Sequence, residues 1–521
     1  MTSQRTPPRI NKWLIAAIIM LPTFLHVMDI SVVNVSLPHI QGSLNAGVDE
    51  VTWVITSYLV TNAIIIPIAP WLARLFGRKR YLLASVALFT LSSLACGAST
   101  SLTMLICFRV LQGLAGGGLA PLGQAILLET FPQKEHGMAN AIFGMGVTVA
   151  PVLGPVFGGW LTDQWSWPWV FYINLPAGVM AFFLLKAFID DPPYLRSTRM
   201  HIDTWGILFL SVGLGCLQVV LDKGEREDWF SSRFIITLGV IAVVSLLIFF
   251  WVERKTPYPV VDLKPFRNRG FAAANVINFF GYFTLLGSIV LLPLYLQKLM
   301  GYTALWAGLV LGPGGFTSLI IMPIAGFLMI RGMNPKWLLG IGLALQAVSL
   351  WMMAAFNLEV DFMYVAWPRI VLGLALGLFF APVATAAFAN IPKEEIGNAS
   401  GIFNLLRNLG GSVGIAFCTT IHSQRAQLHQ TFLSENITPS NPAYQHYYQE
   451  ILQWLQIHKP ALANSEGVLS IIYQEVLRQA NMLAFNDTFW LLGWLTACLV
   501  PTVLLLQAPK EKHPNHPGDR G

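Results

Sequence analysis

The chain has 521 residues, of which 55% are hydrophobic and 11% charged, with a formal net charge of +6. Soluble domains carry roughly a quarter charged residues, so this composition excludes an ordinary soluble protein and indicates a polytopic membrane protein. The positive balance follows from membrane topology, as argued next, and does not require nucleic-acid binding.

Apolar runs of about 20 residues, enough to cross a ~30 Å hydrocarbon core at 1.5 Å per residue, begin near residues 13, 51, 80, 102, 137, 168, 202, 232, 271, 304, 335, 361, 397 and 486. Fourteen transmembrane spans are predicted. The first, from about Trp13 to Val35, is too long for a signal-peptide core and lacks a small-residue cleavage site, so it is read as a retained helix. A cytoplasmic N-terminus puts the basic segments 74–80, 186–199, 253–269 and 331–336 inside, with about 22 of the 32 Lys and Arg residues inside and about 4 in short outside loops. An even helix count then returns the C-terminus to the cytoplasm. The five cysteines, Cys96, Cys107, Cys216, Cys418 and Cys498, have no paired spacing and read as small core residues, neither ligands nor disulfides.

The chain repeats itself. PIAPWLARLFGRKRYLL (67–83) aligns without a gap to PIAGFLMIRGMNPKWLL (323–339), and Arg109 in RVLQGLAGGG is answered by Arg369 in RIVLGLALGL. The offset of about 256 residues pairs span 2 with span 10 and span 4 with span 12, the internal duplication expected of a secondary transporter. The division is therefore a six-helix half over 1–200, two inserted helices over 201–255, and a second six-helix half over 256–521. A long outside segment, about 422–487, carries two stretches with helical spacing, QHYYQEILQWLQ and VLSIIYQEVLRQ. They either lie on the outer surface, meet a partner, or form a structural cap.

Ionisable groups inside spans are functional candidates, because a charge in hydrocarbon costs several kcal/mol unless it has a partner or a cavity. Asp29 lies about 25 Å above the inner end of span 1, and Arg109 about 10 Å below the outer end of span 4. The two share one depth and one potential cavity. A carboxylate that neutralises on protonation beside a cation is a natural proton-coupling element, and His26, on the same helical face as Asp29, is placed either to share its proton or to serve as an interface histidine. A structural ion pair is the alternative for Asp29 and Arg109. Arg369 and Arg407 are the other intramembrane cations. Polar stripes add Tyr58 and Asn62 on span 2, Asn275, Asn278 and Tyr282 on span 9, and Asn404 with Arg407 on span 13; Asn34 and Gln112 complete the candidate substrate cavity. Interhelical hydrogen bonding competes as an explanation for each stripe. In span 5, Gly154 and Gly158, with Gly159 beside them, permit close helix contact and Pro155 permits a bend. Glu129, at the inner end of span 4, reads as an interfacial charge without a special role.

These residues resemble the fourteen-spanner drug:proton antiporters of the major facilitator superfamily, and most closely the EmrB type, over about residues 12–507. The resemblance is carried by MDISVVNVSLP (28–38), FRVLQGLAGG (108–117), GPVFGGWL (154–161), WPWVFYINLPAG (167–178) and LDKGEREDWFSS (221–232). It implies an all-α integral membrane fold and export of amphipathic or toxic compounds across a bacterial inner membrane in exchange for protons. No cofactor is implied beyond the proton gradient. Asp29 would match the first-span acid and Arg109 the fourth-span Arg linked to proton transfer. A periplasmic membrane-fusion adaptor and an outer-membrane channel are implied as partners. In the loop between spans 2 and 3, Gly77, Arg78 and Lys79 fit the family motif, but Pro70 and Arg74 stand where Gly and Asp are usual, so a latch built on that Asp is not expected. Export of an endogenous polar metabolite such as a siderophore is the alternative cargo; proton symport, a channel or a membrane enzyme are further readings. The chain has no G-x4-G-K-[ST] loop, no HExxH and no Cys/His metal spacing.

Overall fold

The computed structural model describes residues 11–192, 202–435 and 437–506. The termini and part of the basic segment 186–199 lie outside the described residues. Among the described residues, thirteen helices are long and apolar enough to cross a membrane. We number the spanning helices α1 (Lys12–Ser43), α2 (Val48–Phe76), α3 (Arg78–Gly97), α4 (Leu102–Thr130), α5 (Gln133–Gln164), α6 (Trp169–Phe188), α7 (Thr204–Lys223) and α8 (Arg233–Glu253). There follow α9 (Arg269–Leu299), α10 (Trp306–Ile330), α11 (Pro335–Met353), α12 (Phe362–Phe388), α13 (Ile396–Ser434) and α14 (Ser465–Leu505). Helix α13 is the fourteenth. Asn398, Asn404, Arg407 and Asn408 along it dilute its apolar character, yet it packs inside the bundle.

An all-helical solution is dictated by the solvent. In hydrocarbon every backbone N–H and C=O needs an internal partner, which a helix supplies along its own axis. The ends are satisfied by short polar caps: Asn11, Ser101, Asp203, Asn268, Thr303, Asn334, Asp361 and Asn464 each accept from a first-turn N–H.

Packing repeats with a step of eight helices. Helix α1 packs on α5, α2 and α3 on α4, and α6 on α3; correspondingly, α9 packs on α13, α10 and α11 on α12, and α14 on α11. Helices α7 and α8 pair with each other, and α7 also touches α2 and α13. We call the end of the bundle bearing Lys12, Arg78 and Arg269 the basic face.

The two groups meet near that face. The Gln133 side chain donates to Ala389 O at 3.0 Å, Asn140 to Thr385 at 3.2 Å, Ser400 to Pro121 O at 2.8 Å and Asn404 to Gln124 at 2.7 Å. Gly137 lies against Met329 and Gly401 against Pro70. The conformation is closed on the basic face.

The segment at the opposite face differs from the expectation of a long loop with separate surface helices. Helix α13 runs unbroken to Ser434 and α14 begins at Ser465, so VLSIIYQEVLRQ is the outer part of α14. QHYYQEILQWLQ does form its own helix, Pro442–His458. Its apolar face meets that of α14 through Ile451, Leu455, Val468 and Ile472. Each amphipathic stripe thus buries the other. At 39 and 41 residues, α13 and α14 span about 60 Å each, roughly twice the hydrocarbon thickness, and carry this knob clear of the bilayer.

Candidate functional site

Asp29 and Arg109 meet. The Arg109 Nη1 donates to Asp29 Oδ2 at 2.5 Å, and both side chains are fully buried. Three further polar residues complete the arrangement. Gln112, one turn along α4 from Arg109, accepts from the same Nη1 at 2.8 Å and donates through its amide to Asp29 Oδ1 at 3.0 Å. Asn174, at the start of α6, donates to Asp29 Oδ1 at 2.9 Å. Ser93 on α3 accepts from both amides, at 3.2 and 3.1 Å. Arg109 Nε reaches Val54 O on α2 at 3.1 Å. One carboxylate therefore ties α1, α3, α4 and α6 together, with α2 joined through the guanidinium. Such a buried charge is tolerated because both carboxylate oxygens are hydrogen-bonded and the guanidinium is held through Nη1 and Nε, while Arg109 Nη2 has no hydrogen-bond partner among the described residues.

Sequence depth brought Asp29 and Arg109 together correctly but missed Asn174 and Ser93. Neither is ionisable, and neither falls on a polar stripe.

His26 faces elsewhere. Its Nδ1 hydrogen-bonds the Tyr58 hydroxyl at 2.6 Å and its Nε2 the Asn62 amide at 3.3 Å, both on α2. Of the two readings, His26 is placed as an interface histidine between α1 and α2, and its link to Asp29 is indirect, since the Tyr58 ring lies 4.0 Å beneath the Arg109 guanidinium. The i, i+3 spacing put His26 on the right face of α1, but two α2 side chains take both ring nitrogens.

The polar stripes separate into two kinds. Asn278, Tyr282 and Arg407 line a small void at the centre of the bundle with Gln124, Asn140 and Phe143, and the Arg407 guanidinium lies between the rings of Phe143 and Tyr282, at 5.6 and 5.5 Å. Asn404 bridges the two groups through Gln124. Asn275, in contrast, donates to Phe271 O of its own helix, a local bond that any buried Asn makes. Asn34 is exposed on the outer part of α1. Arg369 is buried in α12, and its Nε and Nη1 have no hydrogen-bond partner among the described residues.

Helix α5 packs closely on α1 at two of the named glycines. A Cβ at Gly154 would meet Ser31 at 2.4 Å, and one at Gly158 would meet Val32 O at 2.8 Å. Gly159 has open space instead, so close packing does not explain it. The side chain of Pro155 lies outside the described residues.

At the basic face Gly77 turns the chain between α2 and α3 with φ +89°, a conformation that favours glycine. Arg78 then donates from Nη1 and Nη2 to the two carboxylate oxygens of Glu129, at 2.7 and 2.8 Å. Lys79 pairs with Asp190 at 3.0 Å and its backbone N–H donates to Asp191 at 2.7 Å. Glu129 is therefore no idle interfacial charge. No acid stands at position 74, as expected, and the bridge that does form takes its acid from the end of α4 on the basic face. Among the cysteines, all five are free; Cys96 and Cys418 are buried as expected, but Cys107 and Cys498 are exposed.

Residues 19–415 match the family described as Major Facilitator Superfamily. The chain is 38% identical to the multidrug export protein EmrB of Haemophilus influenzae over 483 residues, covering 92% of this chain and 93% of that one. It is 36% identical to the multidrug export protein EmrB of Escherichia coli K12, covering 94% of each. Among solved structures it shares the fold of the human organic anion transporter MFSD10, with a TM-score of 0.59 at 13% identity over 94% of this chain and 100% of that one. Among the described residues, twelve long helices in two like-packed groups with a further pair beside them agree with these matches, and the chain belongs to the Major Facilitator Superfamily as a multi-pass membrane transporter, not an enzyme.

Proposed function

We propose that this transporter exports amphipathic drugs or other toxic compounds in exchange for protons, by alternating access across a bacterial inner membrane. The basic face and both termini are cytoplasmic in this reading, as the distribution of Lys and Arg favours. The chain divides into two six-helix halves, 1–200 and 256–521, around the inserted pair 201–255. The proton gradient is the energy source and no cofactor takes part. One proton moving down 100 mV supplies about 2.3 kcal/mol, enough for roughly a 50-fold gradient of a neutral cargo.

The observation that carries the proposal is the Asp29 carboxylate, buried and shared among Arg109, Gln112 and Asn174. Protonation removes the charge that holds α1, α4 and α6 to one point. Arg109 keeps Gln112 Oε1 and Val54 O as acceptors, so the loss loosens the pair without orphaning the cation. Proton binding thus changes the packing of the first half, which is what coupling requires. Cargo would meet the central residues Asn278, Tyr282 and Arg407, where an arginine and aromatic rings suit an amphipathic molecule. Those central groups also suit a polar anionic metabolite such as a siderophore, the second reading. The relatives named as multidrug export proteins favour the first.

A periplasmic adaptor leading to an outer-membrane channel is proposed as partner. Trp454, Ile457 and Tyr473 are exposed on the outer knob and offer it an apolar surface.

The test is substrate-dependent pH change in proteoliposomes with an internal dye, using lipophilic cations, bile salts and siderophore-like anions in turn. Export-linked proton movement in the wild type that disappears in Asp29→Asn is the expected result. Coupled export by Asp29→Asn equal to wild type at every pH would remove Asp29 from the mechanism.

A further inference from the structure

A second cavity, of about 480 Å³, opens away from the central polar residues, at the outer ends of α9, α13 and α14. Its size falls in the range of small-molecule sites. Leu294 and Leu477 give it apolar wall, and Phe485 stacks on His422 with ring centroids 4.1 Å apart. Lys298 and Arg478 also line it. His422 Nδ1 is buried there with no hydrogen-bond partner among the described residues.

Three features separate this cavity from a chance meeting of interfacial side chains. Basic residues concentrate on the other face of the protein, so two cations converging at the outer end run against the topological bias. Lys298 and Leu299 belong to a π turn, Tyr295–Leu299, that ends α9 in place of regular α-helix, and such turns recur at functional sites. The cations are also exposed at the mouth and largely free of carboxylate partners among the described residues. Arg478 has one carboxylate, Glu475, at 3.6 Å and half-exposed, and no carboxylate pairs with Lys298 among the described residues. Arg478 Nε additionally reaches Leu299 O at 3.4 Å, which holds the α14 side chain across the mouth toward α9.

Cationic groups at one side and apolar wall at the other recognise a negatively charged head on a hydrocarbon tail. We propose that this cavity is an outer binding site for an amphiphilic anion, a carboxylate or phosphate on an alkyl chain, held by Lys298 and Arg478 with the tail against Leu294, Leu477 and Phe485. The occupant is either a single-chain amphiphile or the headgroup region of an anionic lipid, which present the same chemistry. The site deepens the exporter reading, on which its place in the transport cycle rests; its binding chemistry is independent of coupling.

The experiment uses the full chain in phosphatidylcholine nanodiscs and measures equilibrium binding of radiolabelled laurate, with dodecanol as the neutral competitor. Wild type binds laurate, and Lys298→Gln/Arg478→Gln weakens it at least about tenfold, the loss expected for hydrogen bonds to a charged group. Dodecanol competition stays unchanged in that variant, and Lys298→Arg/Arg478→Lys restores laurate. Exchanging the nanodisc lipid for phosphatidylglycerol separates the two occupants: displacement of laurate identifies a lipid headgroup, and undiminished binding identifies a free amphiphile. Laurate binding that survives the double substitution, or none in the wild type, overturns the site. Asp29→Asn is expected to bind laurate normally. A failure of coupled transport with intact binding would leave this site standing without the antiport reading, and loss of binding in Asp29→Asn would refute it.

Discussion

The two helix groups place an arginine at matching positions and surround it differently. In the first, Arg109 has a carboxylate, two amides and a backbone carbonyl within reach of its network. In the second, Arg369 is also buried but has no acid beside it, and it leaves Nε and Nη1 unsatisfied among the described residues, where Arg109 leaves only Nη2. The duplication offset of about 256 residues sets Leu285 opposite Asp29, so the acid has no counterpart. The cores differ too: the second group lies in one continuous apolar cluster that also takes in Ile68, Trp71, Ala125, Leu128 and Ala141 of the first, while the rest of the first is split into two. The two groups pack alike, and a single buried acid sets the first apart; in the proposed mechanism that is the half that answers to protons.

That asymmetry can be broken from either side. The largest effect is expected from Arg109→Leu, which strands the Asp29 carboxylate and should cost about 3–5 kcal/mol, read as a fall in melting temperature of the purified protein. Arg369→Leu removes a cation that no acid relies on and should cost far less; an equal loss for the two would show that the partner of Asp29 confers nothing special. Next in size is Gly158→Leu, which drives a side chain into Val32 O on α1. Overpacking of this kind costs about 1–3 kcal/mol. A double-mutant cycle between Asp29→Asn and Arg109→Gln should return a coupling of about 0.5–3 kcal/mol, whereas Leu285→Asn with Arg369→Gln should return none. Gly159→Ala, next to Gly158 but facing open space, should stay within about 0.5 kcal/mol of wild type.

How much of this was readable in advance depends on the physics of each feature. Hydrocarbon thickness fixes helix length, so thirteen spans could be read from apolar runs, while α13, diluted by Arg407 and its asparagines, is placed by its length and its packing inside the bundle. Depth arithmetic placed Asp29 and Arg109 together because both sit on helices of fixed rise that enter from opposite faces. Rotation about the helix axis is less legible. His26 shares the face of Asp29, yet its partners are chosen by α2, and no spacing within α1 reports that. Asn174 lies close after the α5–α6 turn, where there is no period to mark it. Glu129 looked interfacial because its partner, Arg78, is 51 residues away in sequence. The outer ends of α13 and α14 were read as a segment separate from the spans since, once clear of the bilayer, a helix no longer needs an apolar run, although the helical spacing of VLSIIYQEVLRQ was visible.

The inserted helix α7 has a bearing on how cargo arrives. The two groups abut along two seams, α5 with α10 and α2 with α13. Helix α7 lies over the second, joined to α2 by Asp222 with Thr56 and Lys223 with Thr52, and to α13 by Gln218 with Ser412 at 3.0 Å. Trp229, just beyond it, donates to Thr420 at 2.9 Å. A molecule dissolved in the lipid therefore finds one lateral doorway walled off and the other, between α5 and α10, without an added helix. Without this pair the two seams would face the bilayer alike; with it, the α5–α10 seam is the side of the proposed exporter left without an added helix.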